Sequence, residues 1–231
     1  MKFSVRMAAP KKAEIWLYDY IGRDTFFGDA VSAKMIGDQL NKAGKIDVIN
    51  LRVNSEGGEA MEGVAMYNIL DRHPARIEVD IEGVALSAAT IPVMAGDTIR
   101  IAANALMMIH DPYTFSGGTA EDLRKTADLL DTVAGSIATT YASRTGNKIA
   151  DINKWMNEEL WMTASESIDY GFADEITNAL EIAAQFSLTR FKNAPAHAIA
   201  RCKQRTPCAS DQMRSKLRAM AQRASELRGG K

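Results

Sequence analysis

The stretch Gly83-Val84-Ala85-Leu86-Ser87-Ala88-Ala89-Thr90 decides how the rest of the chain is read. A β-rich run, residues 76–81 (RIEVDI), leads into it, and a small-residue, helix-compatible run leaves it through Met94. The Ser87 hydroxyl therefore stands where a strand turns into a helix, among Gly and Ala residues that admit another backbone. The first N–H groups of a helix are unpaired and positively polarised, so a nucleophile held there faces a ready anion site. The same pattern also describes an ordinary helix cap, which is the commoner use of such a hydroxyl.

Working outward, strands and helices alternate. Residues 13–22 (AEIWLYDYIG) read as a strand, and 31–43 as a helix with Ala33, Ile36, Leu40 and Ala43 on one face, closing at Gly44. Residues 47–53 (DVINLRV) form a second strand that ends in Asn54-Ser55-Glu56-Gly57-Gly58, followed by a helix over 60–71. The third strand is 76–81, with a short helix over 87–95 and β-rich pieces at 98–102 and 105–109. This alternation predicts an α/β fold with a parallel-dominated sheet and right-handed crossovers. Functional loops in such sheets lie beyond the carboxyl ends of strands, where 54–58, 83–87 and 110–118 all fall.

Residues 120–144 form the longest predicted helix, with Leu123, Ala127, Leu130, Ala134, Ile137 and Tyr141 as its apolar stripe. A helix of that length either lies along the core or projects toward another subunit. Residues 164–170 give a short helix and 172–176 a last β-like piece. Beyond Leu188 periodicity weakens, and 211–227 has the pattern of a basic amphipathic helix.

The 231 residues allow one domain plus an appendage: an N-terminal extension (1–12), a domain (13–185) and a basic tail (186–231). The tail carries eleven Lys/Arg against two Asp/Glu, so an overall charge of −1 divides into a −10 body and a +9 tail. Solvated charge is the default for such a run, with weak support for nucleic-acid contact. Cys202 and Cys208 have no second pair and no suitable His partner beyond His197, so no zinc site or other cofactor is expected. With only these two cysteines a reduced cytoplasmic setting is expected; no run reaches the roughly 18 apolar residues of a membrane span, and the first ten residues, with no sustained apolar segment, are not expected to act as a signal peptide.

Serine catalysis needs a base within reach and a group to orient that base. Of three histidines, His73 leaves a helix beside Pro74 and His197 lies in the tail. His110 ends the apolar strand Leu106-Met107-Met108-Ile109 and is stopped by Asp111-Pro112, which sets it in the layer of Ser87. Gly57 and Gly58 follow the second strand. Their N–H groups, free of Cβ crowding, can form half of an oxyanion hole, with the Ala88 N–H as the other half.

The order and spacing of these segments, together with Trp161-Met162-Thr163-Ala164 and Tyr170-Gly171-Phe172-Ala173-Asp174, resemble the proteolytic subunit of the Clp protease family over about residues 14–176. That family's pattern is similar to N-S-P-G-G, G-x-A-A-S, M-I-H-x-P and a late [FW]-[LM]-[ST]-A…Y-G-[LF]-x-D. Phe26-Phe27-Gly28-Asp29, Met94-Ala95-Gly96-Asp97 and Glu159-Leu160 before Trp161 resemble more closely its bacteriophage branch, the head maturation (prohead) proteases. The resemblance implies a Clp protease/crotonase-like superhelix of repeated β-β-α units with a long handle helix. It implies a nucleophile at Ser87, a base at His110, an orienting acid at Glu159 with Glu158 as competitor, and oxyanion donors at Gly58 and Ala88. It further implies an ATP-independent serine endopeptidase that assembles into homo-oligomeric rings and processes phage capsid or scaffold proteins. Glu56 departs from the family's Pro and Leu86 from its small residue. A Clp-like general peptidase subunit and a catalytically inert capsid-assembly oligomer are the alternatives. A crotonase-like acyl-CoA enzyme is a further one, resting on Glu56 and Glu59.

Overall fold

A computed structural model describes residues 5–9, 11–23, 30–179, 188 and 191–196. The readings made at 26–29 and across 197–231, including His197, both cysteines and the basic helix, lie outside those residues. In chain order the elements are β1 (Val5–Ala9), β2 (Lys12–Leu17), β3 (Tyr20–Ile21), β4 (Ala30–Val31), α1 (Ala33–Ala43), β5 (Val48–Ser55), α2 (Ala60–Asp71), β6 (Arg76–Leu86), α3 (Thr90–Val93), β7 (Thr98–Ala102), β8 (Leu106–Ile109), α4 (Ala120–Thr145), α5 (Ile149–Asn157), β9 (Leu160–Thr163), α6 (Ala164–Asp169) and β10 (Glu175–Thr177).

The main sheet runs β1-β2-β5-β6-β7-β10, with β8 beside β6 and β9 beyond β8. Pairing is parallel except for β1 with β2 and β8 with β9. Strand β1 falls within the stretch read as an extension, and it belongs to the sheet. The two-residue period sorts the faces. Ile49, Leu51 and Val53 of β5 and Ile77, Val79 and Ile81 of β6 are buried in the apolar core with Ile36 and Leu40 of α1 and Met66 and Leu70 of α2. The intervening residues form an ion-paired layer: Arg100 Nε reaches Asp80 at 2.7 Å, and Arg52 Nε reaches Glu82 at 2.8 Å. Helix α1 starts where Ser32 Oγ accepts the Met35 N–H and ends at Gly44, whose φ of 74° suits glycine.

Strand β6 is five residues longer than the sequence predicts, because an irregularity opposite Asn54 lets it continue instead of ending at Ile81. Val53 pairs with Ile81 but Ser55 pairs with Ala85, and the Asn54 side chain fills the difference by accepting the Val84 N–H at 3.2 Å. The first part of β6 then pairs with β7 and its end with β8, Leu86 standing opposite Met108. That switch of neighbour brings the ends of β6 and β8 side by side, and with them Ser87 and His110.

Helix α4 has 26 residues, about 39 Å at 1.5 Å each, between a Thr119–Asp122 capping box and a left-handed Gly146. Its buried residues are Ile137, Ala138 and Tyr141, all in the second half, whereas Leu123 and Leu129 of the first half are exposed. The helix therefore projects from the core. Helix α5, which buries Ile152 and Met156, is not anticipated by the sequence reading.

Candidate active site

Ser87 is the first residue after β6 and has φ of 55°, a left-handed conformation that costs a non-glycine residue energy. A 3-10 turn (Ser87–Ala89) and α3 follow it, so the sharp turn projects the hydroxyl from the end of the sheet. The turn is held from below. Thr90 Oγ1 donates to the Ser87 carbonyl at 2.6 Å, which leaves the buried Tyr141 hydroxyl to donate to Thr90 Oγ1 at 2.6 Å. Burial pushes the Tyr141 phenol well above its ordinary pKa and keeps it a donor. Tyr141 also meets Phe172 edge-on at 5.5 Å, so the projecting helix is anchored at the nucleophile turn.

His110 Nε2 lies 2.7 Å from Ser87 Oγ, within reach for proton transfer. Its position follows from β8, which ends one residue earlier, and from the loop that Asp111 ties down. The Asp111 N–H donates to the Met156 carbonyl at 3.1 Å, and Asn157 Nδ2 donates to Asp111 Oδ2 at 3.2 Å. Tyr113 and Phe191 flank the imidazole, with ring centroids at 5.8 and 6.0 Å.

The Gly57-Gly58 loop is pressed against this turn. A Cβ at Gly57 would lie 2.8 Å from the Ala88 nitrogen and 2.9 Å from Ser87 Cβ, and the φ of 88° also demands glycine. A Cβ at Gly58 would collide with the Ile21 carbonyl. Ile21 bridges the loop, donating to the Gly57 carbonyl at 3.0 Å and accepting from the Glu59 N–H at 2.8 Å. Ser55 Oγ accepts the Gly57 N–H at 3.2 Å, whereas the Gly58 N–H forms no hydrogen bond among the described residues.

Glu159 stands next in the β8–β9 ladder: Ile109 pairs with Leu160, so Glu159 falls across from His110. Its carboxylate is engaged elsewhere. Oε1 accepts from the Trp161 indole at 3.0 Å and the Asn193 N–H at 2.7 Å, and Oε2 accepts from the Lys192 N–H at 3.0 Å. None of these bonds is to His110. Glu158 is exposed, and its carbonyl accepts from Asn193 Nδ2 at 2.8 Å. The structure thus brings Ser87, His110, Gly58 and Ala88 together and places Glu159 beside them with its carboxylate turned to another partner.

Of the remaining candidates His73 lies apart, whereas Glu56 and Glu59 flank the Gly57-Gly58 loop. His73 accepts the Ala75 N–H at 3.1 Å near the start of β6, at the opposite end of that strand from Ser87, and burial lowers its pKa. Glu56 is buried and Glu59 exposed at the start of α2. Among the described residues no three His, Cys, Asp or Glu side chains could hold a metal ion, and no helix is long and apolar enough to cross a membrane. Thr90, Tyr141 and Phe191 touch the site without a sequence motif. Only the buried position of Tyr141 on the apolar stripe of α4 could have pointed to one of them.

A family model described as Clp protease matches residues 4–179. The chain is 33% identical over 130 residues to ATP-dependent Clp protease proteolytic subunit 1 of Leifsonia xyli, covering 55% of this chain and 66% of that relative. It is 30% identical over 164 residues to proteolytic subunit 2 of Tropheryma whipplei, covering 70% of this chain and 89% of the relative. Among solved structures, a ClpP1 mutant from Listeria monocytogenes superposes with a TM-score of 0.62 at 21% identity, covering 71% of this chain and 91% of that one. That likeness bears on the fold alone and agrees with the Clp-like superhelix of sheet and handle helix. The match across most of its length, carried by the same sheet that joins Ser87 to His110, means that this chain belongs to the Clp protease family.

Proposed function

We propose that this Clp-family chain is an ATP-independent serine endopeptidase with Ser87 as nucleophile and His110 as general base. The observation that carries the reading is the 2.7 Å approach of His110 Nε2 to Ser87 Oγ on a strained turn at the strand ends. His110 takes the Ser87 proton as Oγ attacks the scissile carbonyl. The N–H groups of Gly58 and Ala88 receive the oxyanion, where each donor is worth on the order of a hundredfold in rate. His110 returns the proton to the leaving amine, and water then hydrolyses the acyl-enzyme. Glu159, across the ladder from His110, is the acid that orients the imidazole once its carboxylate turns inward.

Ring assembly through the projecting half of α4 is part of the reading, supported by the exposed Leu123 and Leu129. The finer assignment is to phage head maturation, with capsid or scaffold proteins as substrates. Support comes from the prohead-like wording at 94–97 and 159–164 and from the strongly basic tail. In cells infected by phage carrying Ser87→Ala, head proteins remain at full length; normal processing would refute the assignment. A general Clp-like peptidase subunit is the second reading, favoured by the names of the relatives, which are ATP-dependent subunits. Protein degradation that needs an added ATPase would select it.

A further inference from the structure

The family match stops at residue 179, yet a segment beyond it is packed into the site. Leu188 and Phe191 are 2% and 8% exposed and form, with Leu86, Leu106 and Met108, an apolar cluster separate from the main core. Phe191 stands edge-on to the His110 imidazole at 6.0 Å and edge-on to Trp161 at 5.6 Å. The next two residues are fastened to the candidate acid, with the Lys192 and Asn193 N–H groups donating to opposite oxygens of Glu159. Asn193 Nδ2 adds a bond to the Glu158 carbonyl.

We propose that Leu188, Phe191, Lys192 and Asn193 form an autoinhibitory latch that keeps the Glu159 carboxylate on their own groups instead of on His110 and so keeps the peptidase latent. The inference rests on the Ser87-His110-Glu159 reading given above. Backbone N–H groups are strong partners for a carboxylate, and two of them on one side chain fix its rotamer. While those bonds hold, neither Glu159 oxygen accepts from His110, although Glu159 stands across the ladder from it. The apolar anchors Leu188 and Phe191 supply the burial that keeps the donors in place. Release of the segment frees the carboxylate to accept from His110 Nδ1–H, and the fraction of molecules in that state sets the observed rate.

The test compares wild type, Leu188→Ser/Phe191→Ser and Asn193→Pro, all in the full chain and at equal native mass. The first variant loses the apolar anchor; the second removes the Asn193 N–H donor to Glu159 and the Asn193 Nδ2 bond to the Glu158 carbonyl while keeping Leu188 and Phe191. The readout is the rate of Ser87 labelling by a fluorophosphonate. We expect both variants to label at least about tenfold faster, the gain for a competent state populated to ~10% or less. Adding Glu159→Gln should cancel that gain. Labelling at the wild-type rate or slower in a folded Asn193→Pro protein would overturn the latch, as would a gain that survives Glu159→Gln. In either case wild-type labelling would leave the Ser87 reading intact. Absence of labelling in every protein would overturn that reading, and the latch with it.

Discussion

Glu159 immediately precedes the residue that pairs with Ile109, so it stands across the β8–β9 ladder from His110 while its carboxylate binds the amides of Lys192 and Asn193. Position and hydrogen bonding point to two different states of one side chain. If Glu159 orients the imidazole during turnover, Glu159→Gln lowers kcat for peptide hydrolysis by up to about 10⁴-fold with little change in KM. The exposed neighbour gives the control. Glu158→Gln should leave kcat unchanged, and the reverse pattern would reassign the acid.

The Gly57 Cα lies against the nucleophile turn with no space for a methyl group. In Gly57→Ala the new Cβ must push the loop away from Ala88, and the Gly58 N–H moves with it. Loss of one oxyanion donor predicts a fall in kcat on the order of a hundredfold, measured on a short peptide ester. A variant with full activity would remove this loop from the oxyanion site.

Tyr141 supports Thr90, which in turn holds the Ser87 carbonyl. Tyr141→Phe keeps the ring against Phe172 and deletes only the buried donor. We expect a stability loss of about 1 kcal/mol by urea unfolding. The Ser87 turn should loosen, seen as slower fluorophosphonate labelling. A fall in stability with no change in labelling would confine Tyr141 to a structural role.

Much of this could be read in the sequence for simple physical reasons. His110 is legible because it ends a strand with a clear apolar pattern, Ser87 because it sits among small residues between a strand and a helix-compatible run, and the α/β order follows from period and punctuation. The full length of β6 was not, because the Asn54 side chain that carries it past Gly83 acts across 30 residues of sequence. Thr90 and Tyr141 are 51 residues apart and meet only when α4 folds back onto the turn. The contact of Phe191 with His110 was hidden because weak periodicity after Leu188 resembles a solvated tail, whereas two apolar anchors and a carboxylate suffice to dock it.

Glu82 of the ion-paired layer is buried, and only its Oε1 is met by Arg52. Burial, and then the Glu14 carboxylate, push Glu82 up to about 7. A carboxyl whose pKa rises on folding stabilises most below its ordinary value of 4.5, and that contribution fades as pH climbs toward 7. Arg52→Leu removes the cation and sharpens the effect. The variant should lose about 3 kcal/mol at pH 8 and distinctly less at pH 5, read from urea midpoints. Equal losses at both pH values would contradict the burial argument.

The most direct measurement is mass spectrometry of the full chain after exposure to a fluorophosphonate. Catalysis by the Ser87–His110 pair predicts a single phosphonyl adduct located on Ser87, absent in Ser87→Ala and strongly slowed in His110→Ala. An adduct that persists in Ser87→Ala, or none on the wild-type chain and on both latch variants, would contradict it.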